Sequence, residues 1–368
     1  MDTIQLDLIF EDGCDFTREE ERRIRKTLDG LESPLGYSYC DVLRNGIIYG
    51  EEIKVIVKLS FPRFYFENNA YLISTYDECK KVQRYFIKQL QEDRRLQKIK
   101  AIRITRVDIP FTYIMEKDKR FYDYMNIFKV LALAFNKTYE ETEVKSMVDT
   151  LKKREQTVIY ANTPTISAYN KKITIYNQMK NLDSKITEDI DMKKTLEKYP
   201  DLPRRIRIEM SKRIKRKEMT LKEFGKYNLF EEYSIKYKEE LKKLLFDKEL
   251  LDEVYEEEIE KLSEILDEER EFQKKRFTYK NFLSEYVEDI YDYKILREAL
   301  KIIITKRKTR EGAITEIRKE LKKSEERKGL IVIGVRSIVK DIADTIEKSF
   351  KGQRKKKVEK DELEGSPF

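Results

Sequence analysis

The chain has 368 residues, with 78 Lys and Arg against 70 Asp and Glu, a net charge of +8 at pH 7. This length permits two domains, and the positive excess allows nucleic-acid binding without proving it, since an AT-rich coding bias would also raise the Lys content. The absence of histidine excludes Ser-His-Asp triads, histidine general bases and histidine metal ligands. Any metal ion would therefore be bound mainly by oxygen, which favours Mg²⁺ or Mn²⁺ over Zn²⁺.

The cysteines and the apolar segments restrict where the protein acts. Cys14, Cys40 and Cys79 are widely spaced and fit neither a disulfide framework nor a zinc cluster, which predicts a reducing cytoplasm. The N-terminal residues lack the basic and apolar regions of a signal peptide. Because no apolar run approaches transmembrane length, we expect no contact with a membrane.

The N-terminal part mixes predicted strands with predicted helices. Residues 3–10 alternate like a half-buried strand, and residues 16–30 predict a helix that starts at the Thr17 cap. A hairpin is predicted between residues 37 and 60, with its turn at Asn45-Gly46. Further helices are predicted at 77–95 and 118–136, and further strands at 101–113, 156–161, 165–169, 172–178 and 204–212. Because helices sit between strands without strict alternation, we predict an α+β fold with a mainly antiparallel sheet and flanking helices.

From about residue 214 the sequence changes to Glu-, Lys- and Leu-rich amphipathic patterns. These predict an all-helical region with helices at 219–227, 229–246, 248–269, 280–288, 290–306, 309–326 and 337–350. Residues 330–333 fit either a short strand or part of the last helix. We therefore predict a first domain at 1–213, a helical DNA-binding or oligomerisation domain at 214–350 and a disordered basic tail at 351–368.

Two predicted strands each carry a carboxylate beside apolar neighbours. Asp108 follows Val107 in a strand that Pro110 is expected to end, and burying such a carboxylate is costly unless it binds something. Pairing with Arg106 is the simpler alternative. Glu209 lies in a strand in which alternation places Arg205, Arg207 and Glu209 on one face. That face would bind a cation and phosphates, although an exposed face with self-paired charges would show the same pattern.

Tyr176 lies at the end of a third short predicted strand, which begins with Lys171 and Lys172. A tyrosine oxygen becomes a nucleophile where cations and a metal ion stabilise its ionised form. Position alone does not select it among 23 tyrosines, and the rival positions are Tyr160, Tyr169, Tyr227, Tyr233 and Tyr237. A carboxylate pair beside a tyrosine, on three strands of one sheet, would be suited to breaking and rejoining a phosphodiester bond.

Several short motifs, in this order and spacing between about residues 53 and 212, resemble the gene II/gene X-type replication initiators of filamentous phages and related plasmids. Those proteins are rolling-circle nickases. The matching segments are Lys58-Leu59-Ser60-Phe61-Pro62-Arg63 with Glu67-Asn68-Asn69, Thr105-Arg106-Val107-Asp108, Glu155-Gln156-Thr157-Val158-Ile159-Tyr160, Ile175-Tyr176 and Arg207-Ile208-Glu209. The resemblance implies a nicking domain in which Tyr176 becomes linked to DNA and Asp108 and Glu209 bind Mg²⁺ or Mn²⁺.

The chain departs from the family pattern just after the tyrosine. Gln178 stands where the family has a lysine, and Asn181 stands where it has a glutamate. We expect Lys180 to replace the lysine in catalysis and Asn181 to offer a carbonyl oxygen to the metal ion. The cations expected to bind DNA phosphates are Arg205, Arg207, Lys171 and Lys172.

The resemblance also implies partners. Origin DNA, duplex and single-stranded, would be the substrate, and the free 3′ end would prime a host polymerase. No Gly-rich phosphate-binding loop is present, so unwinding would need a separate host helicase. Homo-oligomers through the helical region are a further expectation. The alternatives are a catalytically degenerate origin-binding protein, which Gln178 and Asn181 favour, and a purely helical scaffold anchored by its basic tail.

Overall fold

The computed structural model describes most of the chain, namely residues 2–14, 16–49, 52–66, 68–137, 145–148, 157–161, 171–183, 192–286, 290, 292–326 and 336–345. Three sequence predictions lie outside the described residues: the strand at 165–169, the segment 330–333 and the tail at 351–368. Tyr169 lies outside them as well.

An antiparallel sheet organises the N-terminal part, as predicted. Its strands are β1 (Thr3–Phe10), β2 (Cys40–Ile48), β3 (Lys54–Ser60), β4 (Ile99–Ile114), β5 (Lys145–Val148), β6 (Thr157–Ala161), β7 (Lys171–Asn177) and β8 (Arg205–Met219). Their order across the sheet is β2-β3-β1-β4-β8-β7-β6-β5. The candidate residues on β4, β8 and β7 therefore lie on three neighbouring strands.

Helices flank this sheet and form the rest of the described chain. They are α1 (Arg18–Asp29), α2 (Phe61–Tyr65), α3 (Tyr76–Glu92), α4 (Met125–Lys137), α5 (Gln178–Asp183), α6 (Met192–Lys198), α7 (Leu221–Lys226), α8 (Lys236–Phe246), α9 (Lys248–Gln273), α10 (Tyr279–Glu285), α11 (Tyr293–Ile303) and α12 (Arg307–Glu326). A π-helical segment (Phe230–Ile235) precedes α8, and residues 336–345 are also helical. The N-terminal sheet followed by a helical C-terminal region confirms the predicted fold class.

Local sequence explains where several helices begin. At α1, the Thr17 side chain accepts a hydrogen bond from the Glu20 N–H, while the Glu20 carboxylate accepts one from the Thr17 N–H at 2.9 Å. The same reciprocal capping box starts α3 at Thr75 and α7 at Thr220. Each box satisfies backbone donors that the first turn of a helix leaves unpaired.

The predicted turn at Asn45-Gly46 is wrong. β2 continues through these residues to Ile48, which pairs with Lys54 of β3, so the chain reverses after Ile48. The pairing register shifts between Val42 and Ile47, and this irregularity accommodates the Asn-Gly pair inside the strand. An Asn-Gly pair is therefore consistent with a strand irregularity as well as with a hairpin turn.

The strand predicted at 101–113 is confirmed as β4, which runs from Ile99 to Ile114. Pro110, which was expected to end this strand, lies inside it, because the pairing of β4 with β1 stops at Val107 and leaves β8 as the strand neighbour beside the proline. A proline is tolerated where one side of a strand has no pairing partner. β8 extends to Met219, past the predicted strand end at 212, and α7 begins at Leu221. The change from the sheet to the C-terminal helices thus lies after Met219, later in the chain than the predicted boundary at 213, while the division into domains stays a prediction.

One continuous hydrophobic core joins the sheet to the helices of both parts of the chain. On β8, Ile206, Ile208 and Met210 are almost fully buried, and they face residues such as Ile173 and Ile175 of β7 that are equally buried. α4 contacts α8 and α9, and Lys137 of α4 forms ion pairs with Glu253 and Glu257 of α9. The C-terminal helices are therefore packed onto the N-terminal part through α4.

Among the described residues, none of the helices is long and apolar enough to cross a membrane. The three cysteines are unpaired thiols, as their spacing predicted, with Cys40 and Cys79 buried in the core.

Candidate functional site

The antiparallel register brings Asp108, Tyr176 and Glu209 onto one face of three neighbouring strands. Glu209 lies between Pro110 of β4 and Thr174 of β7, and Asp108 lies opposite Ser211, two residues along β8. Tyr176 lies opposite Arg207, two residues in the other direction. Residues diagonal to each other across adjacent strands are about 7–8 Å apart, within reach of long side chains. We call this surface of the sheet the polar face.

Tyr176 and Glu209 contact each other directly. The Tyr176 hydroxyl donates a hydrogen bond to Glu209 Oε2 at 3.3 Å. The tyrosine is only 6% exposed. Burial, followed by the charge of Glu209, raises the pKa of Tyr176 well above its usual value. Ionisation of the hydroxyl therefore requires a base or an added positive charge nearby.

Asp108 forms an ion pair with Arg106. The pairing with Arg106, which the sequence offered as the simpler alternative to metal binding, is therefore confirmed. Arg106 Nη2 lies 2.6 Å from Asp108 Oδ2. The second carboxylate oxygen, Oδ1, is buried and has no hydrogen-bond partner among the residues that the structure describes. Because buried polar atoms are rarely left unpaired, this oxygen is available to a ligand.

Glu209 is the most perturbed carboxyl group of the polar face. Burial, together with the charges of Asp108 and Asp2, raises the pKa of Glu209 to about 8, while Arg207 and Arg106 act in the opposite direction. Three carboxyl groups thus repel one another in a region of low dielectric. Carboxyl groups with strongly shifted pKa values are frequent in functional sites, where burial and neighbouring charges shift them.

Asp2 is the member of this group that sequence reasoning missed. It is 3% exposed and immediately precedes β1, the strand beside β4. Its charge also raises the pKa of Tyr176. The available signal was a carboxylate immediately before an apolar strand, a weaker signal than the apolar neighbours that identified Asp108 within its strand.

Positive side chains of the polar face balance these acids. Lys172 of β7 lies opposite Ser211, and its pKa is lowered by burial and by the nearby charge of Arg106, while Asp108 and Glu209 act in the opposite direction. Arg207 is completely buried. Its Nη2 donates to the Asn69 carbonyl at 3.1 Å, whereas Nε and Nη1 have no hydrogen-bond partner within the described part of the chain. Two guanidinium nitrogens beside Tyr176 thus have no partner among these residues.

Gln178, which departs from the family pattern, is built into the fold. It is 1% exposed, and its amide donates to the carbonyls of Asn69 at 2.9 Å and Ala70 at 3.2 Å. Arg205 donates to the same Ala70 carbonyl and forms a two-pronged ion pair with Asp201. These contacts occupy the Arg205 guanidinium, and its role in DNA binding stays a prediction.

The remaining predicted site residues lie on the opposite face of β7 or on the helix that follows it. Lys171 is one residue out of phase with Lys172, and it shares Glu240 of α8 with Lys212. Lys180 and Asn181 lie on α5, which begins immediately after β7, and both are partly buried. The Lys180 N–H donates to Asn177 Oδ1 at 3.1 Å. Their catalytic and metal-binding roles stay predictions.

The rival tyrosines have other surroundings. Tyr227, Tyr233 and Tyr237 form a chain of ring contacts between 5.5 and 6.1 Å. Lys217 donates to the Tyr227 hydroxyl, and Lys212 lies over the Tyr237 ring. Tyr160 lies on β6, and its side chain is outside the described set. Tyr176, in contrast, donates its hydroxyl hydrogen bond to Glu209, a carboxylate of the polar face.

The polar face offers oxygen donors of the kind that Mg²⁺ and Mn²⁺ prefer. Asp108 Oδ1 has no hydrogen-bond partner among the described residues, and the pKa of Glu209 is raised by burial and then by the charges of Asp108 and Asp2, which a cation would offset. Within the described residues, no group of three or more acidic, cysteine or histidine side chains has the geometry of a metal site. A cation held here would therefore keep several water ligands.

Comparison of the chain with protein-family models, curated proteins and solved structures found no match. The family resemblance thus rests on the motifs of the sequence, and the function must be argued from the polar face itself.

Proposed function

We propose that the protein is a rolling-circle replication initiator, an endonuclease that nicks and rejoins origin DNA through a covalent link to Tyr176. The observation that carries this proposal is the hydrogen bond between the Tyr176 hydroxyl and Glu209, on a buried face that also holds Asp108 and Arg207. A nucleophile, a base and a phosphate-binding cation are the parts that this transfer requires.

The reaction exchanges one phosphodiester for another. The Tyr176 oxygen attacks the scissile phosphorus while Glu209 Oε2, which already accepts its hydrogen bond, accepts the proton. The bond from phosphorus to the 3′ oxygen breaks, and that oxygen leaves as a 3′ hydroxyl after taking up a proton. The 5′ phosphate remains on Tyr176, and reversal of the step rejoins the strands.

The other charged groups of the polar face would offset the negative charge of the scissile phosphate. A Mg²⁺ or Mn²⁺ ion bound by Asp108 and Glu209 would polarise the scissile phosphate and stabilise its added negative charge. The two unpartnered donors of Arg207 are suited to phosphate oxygens, and Lys172 adds a second cation on the same face.

A basic stretch of β8 supports nucleic acid as the substrate. Arg213, Lys215 and Lys217 are exposed and continue the strand that carries Arg207 and Glu209. A row of cations leading to a buried acidic centre can follow a polyanionic backbone while the reacting phosphate enters the centre. The unpaired cysteines are consistent with action in a reducing cytoplasm beside a host helicase and polymerase.

The second candidate is a degenerate initiator that binds origin DNA and recruits replication factors without cutting. The low exposure of Tyr176 favours it, as does Gln178, which fixes a loop where the related initiators have lysine. Both candidates require DNA binding, so only the covalent step separates them.

The test is formation of a covalent protein–DNA adduct. Wild-type protein is incubated with Mn²⁺ and a supercoiled plasmid that carries the DNA flanking the gene. We expect nicked circles whose 5′ ends stay linked to protein after denaturation. Tyr176→Phe should bind the same DNA and form no adduct, whereas Tyr227→Phe, a change of the same type on the helical part, should form it normally.

Two results would contradict the proposal in different ways. Adduct formation by Tyr176→Phe would assign the nucleophile to another tyrosine. DNA binding without any adduct from wild-type protein, with Mn²⁺ or Mg²⁺ present, would favour the degenerate initiator.

A further inference from the structure

Three aromatic rings form a shelf beside the end of β7. Phe66 and Tyr71 have ring centres 5.7 Å apart, and the ring centres of Tyr71 and Tyr199 are 4.4 Å apart in an edge-to-face arrangement. The Arg205 guanidinium lies 4.7 Å from the centre of the Tyr71 ring. Tyr199 is buried, whereas Tyr71 is 37% exposed. We call Phe66, Tyr71 and Tyr199 the aromatic shelf.

The aromatic shelf is fixed relative to Tyr176. Asn69 and Ala70, just before Tyr71, offer carbonyls that accept hydrogen bonds from Gln178, Arg205 and Arg207. Gln178 follows Tyr176 by two residues, and Arg207 is the cross-strand partner of Tyr176. These bonds join the loop that carries Tyr71 to both strands that position the nucleophile.

Packing explains only part of this arrangement. Tyr199 belongs to a small apolar cluster with Ala70, Leu182 and Leu202, which accounts for its burial. The Arg205 guanidinium lies over the Tyr71 ring, and the Tyr199 ring packs against Tyr71 at an interplanar angle of 68°, yet Tyr71 still presents ring surface to solvent. An exposed ring held by a second ring and a cation is preorganised for stacking by a flat ligand.

The cations around the aromatic shelf indicate which class of flat ligand it would bind. Arg205 is part of the support, and Lys198 lies 5.3 Å from the centre of the Tyr199 ring. Aromatic rings interleaved with cations are how proteins bind single-stranded nucleic acids, because the cations meet phosphates and the rings meet bases. Bases paired inside a duplex do not offer their faces to such a ring.

We propose that Tyr71 stacks with an unpaired base of single-stranded DNA next to the phosphate that Tyr176 attacks. This inference rests on the proposed function, since it assigns a substrate subsite to the same centre. It gives the Gln178 substitution a role: the amide that replaces the family lysine holds the stacking loop against the nucleophile strand.

The test separates stacking from phosphate binding. Fluorescent oligo(dT) of about 12 nucleotides and an abasic strand with the same phosphates are titrated with protein in excess chelator, where no cleavage occurs. We expect Tyr71→Ala to weaken oligo(dT) binding roughly 5- to 100-fold while abasic-strand binding changes less than about twofold. The slope of log affinity against log salt should stay the same, because no phosphate contact is removed.

Matched variants control for general damage. Tyr49→Ala removes another exposed tyrosine, 47% exposed, from the far side of the sheet, and it should bind both strands as wild type does. Tyr71→Phe keeps the ring and should retain oligo(dT) binding. Thermal unfolding of each variant checks that the fold is unchanged.

Three outcomes would overturn the inference. Tyr71→Ala could bind oligo(dT) as tightly as wild type does, or lose affinity equally for the abasic strand. A duplex of the same length could also compete as well as the single strand. If wild-type protein still forms the Tyr176 adduct in any of these cases, the subsite is wrong and the proposed function stands. If wild-type protein forms no adduct but Tyr71→Ala weakens oligo(dT) binding as expected, the catalytic proposal alone is contradicted and the stacking subsite stands.

Discussion

The two faces of the central sheet differ in chemistry: the apolar face is buried, and the polar face is buried in part, with Arg207, Asp108 and Tyr176 among its buried residues. Along β8, Ile206 and Ile208 face the hydrocarbon core, while Arg207 and Glu209 between and beside them face charged neighbours. Arg207 is as buried as Ile208. One strand thus supplies an ordinary core on one side and a titratable cluster on the other.

The difference indicates what each face contributes. Burial of apolar side chains stabilises the fold by roughly 25 cal/mol per Å². Burial of charged groups with unpaired atoms costs stability unless a ligand uses them. We therefore expect substitutions on the apolar face to reduce stability and substitutions on the polar face to reduce activity.

The largest expected effect is on catalysis by the carboxylates. Asp108→Asn and Glu209→Gln should each lower nicking roughly 10³-fold, about 4 kcal/mol, because the neutral amides bind a divalent cation poorly. Initial rates of nicked-circle formation with Mn²⁺ measure this. Glu218→Gln, an acid of the same strand that pairs with Arg103, serves as the control. Normal nicking by both site variants, or full activity in excess chelator, would exclude the metal-binding role.

The stability of the fold should depend mainly on the apolar face of the sheet. Ile208→Ala should lower the free energy of unfolding by about 2–5 kcal/mol, as large-to-small changes in a core do. Arg207→Met replaces the neighbouring buried charge, whose Nε and Nη1 have no partners, and should change stability by less than about 1 kcal/mol. Urea unfolding of both variants gives the comparison. An equally large loss in Arg207→Met would mean that the polar face is itself structural.

The acidic cluster should make stability depend on pH. Glu209 has a pKa of about 8 in the fold and an ordinary value of 4.5, so the folded state binds the extra proton between these values. Stability should therefore fall as pH rises from about 4.5 to about 8, by a few kcal/mol at most. Glu209→Gln should remove this part of the slope. Thermal unfolding in chelator at several pH values measures it, and an unchanged slope in the variant would show that Glu209 is not the titrating group.

The sequence predicted which segments form strands better than it predicted the turns and strand ends. Alternation identified β1, β4, β7 and β8, and it assigned Arg207 and Glu209 to one face, because a period of two is local information. The Asn45-Gly46 turn and the strand end at Pro110 failed, since both depend on where a neighbouring strand begins or stops. Local propensity does not contain that information.

The candidate site was predictable in its residues but not in its contacts. Asp108, Tyr176 and Glu209 were selected by residue type and motif, and the register brings them onto one face. The roles of Asp2 and Gln178 depend on pairing between distant parts of the chain, such as Gln178 with the Asn69 and Ala70 carbonyls. Gln178 was interpreted as a departure from a pattern, whereas its amide holds a loop.

The smallest expected effect concerns the third metal ligand. Asn181 lies one turn after Gln178 on α5, and residues three apart share a helix face. Asn181→Glu adds a carboxylate near a centre that has only two predicted carboxylate ligands, so Mn²⁺ should bind about 5- to 10-fold more tightly. Calorimetric titration with Mn²⁺ measures this, and Asn281→Glu on α10 adds the same charge outside the sheet as a control. Equal gains in both variants would reflect general attraction of cations. Weaker binding in Asn181→Glu alone would mean that its oxygen does not reach the polar face and that water completes the coordination.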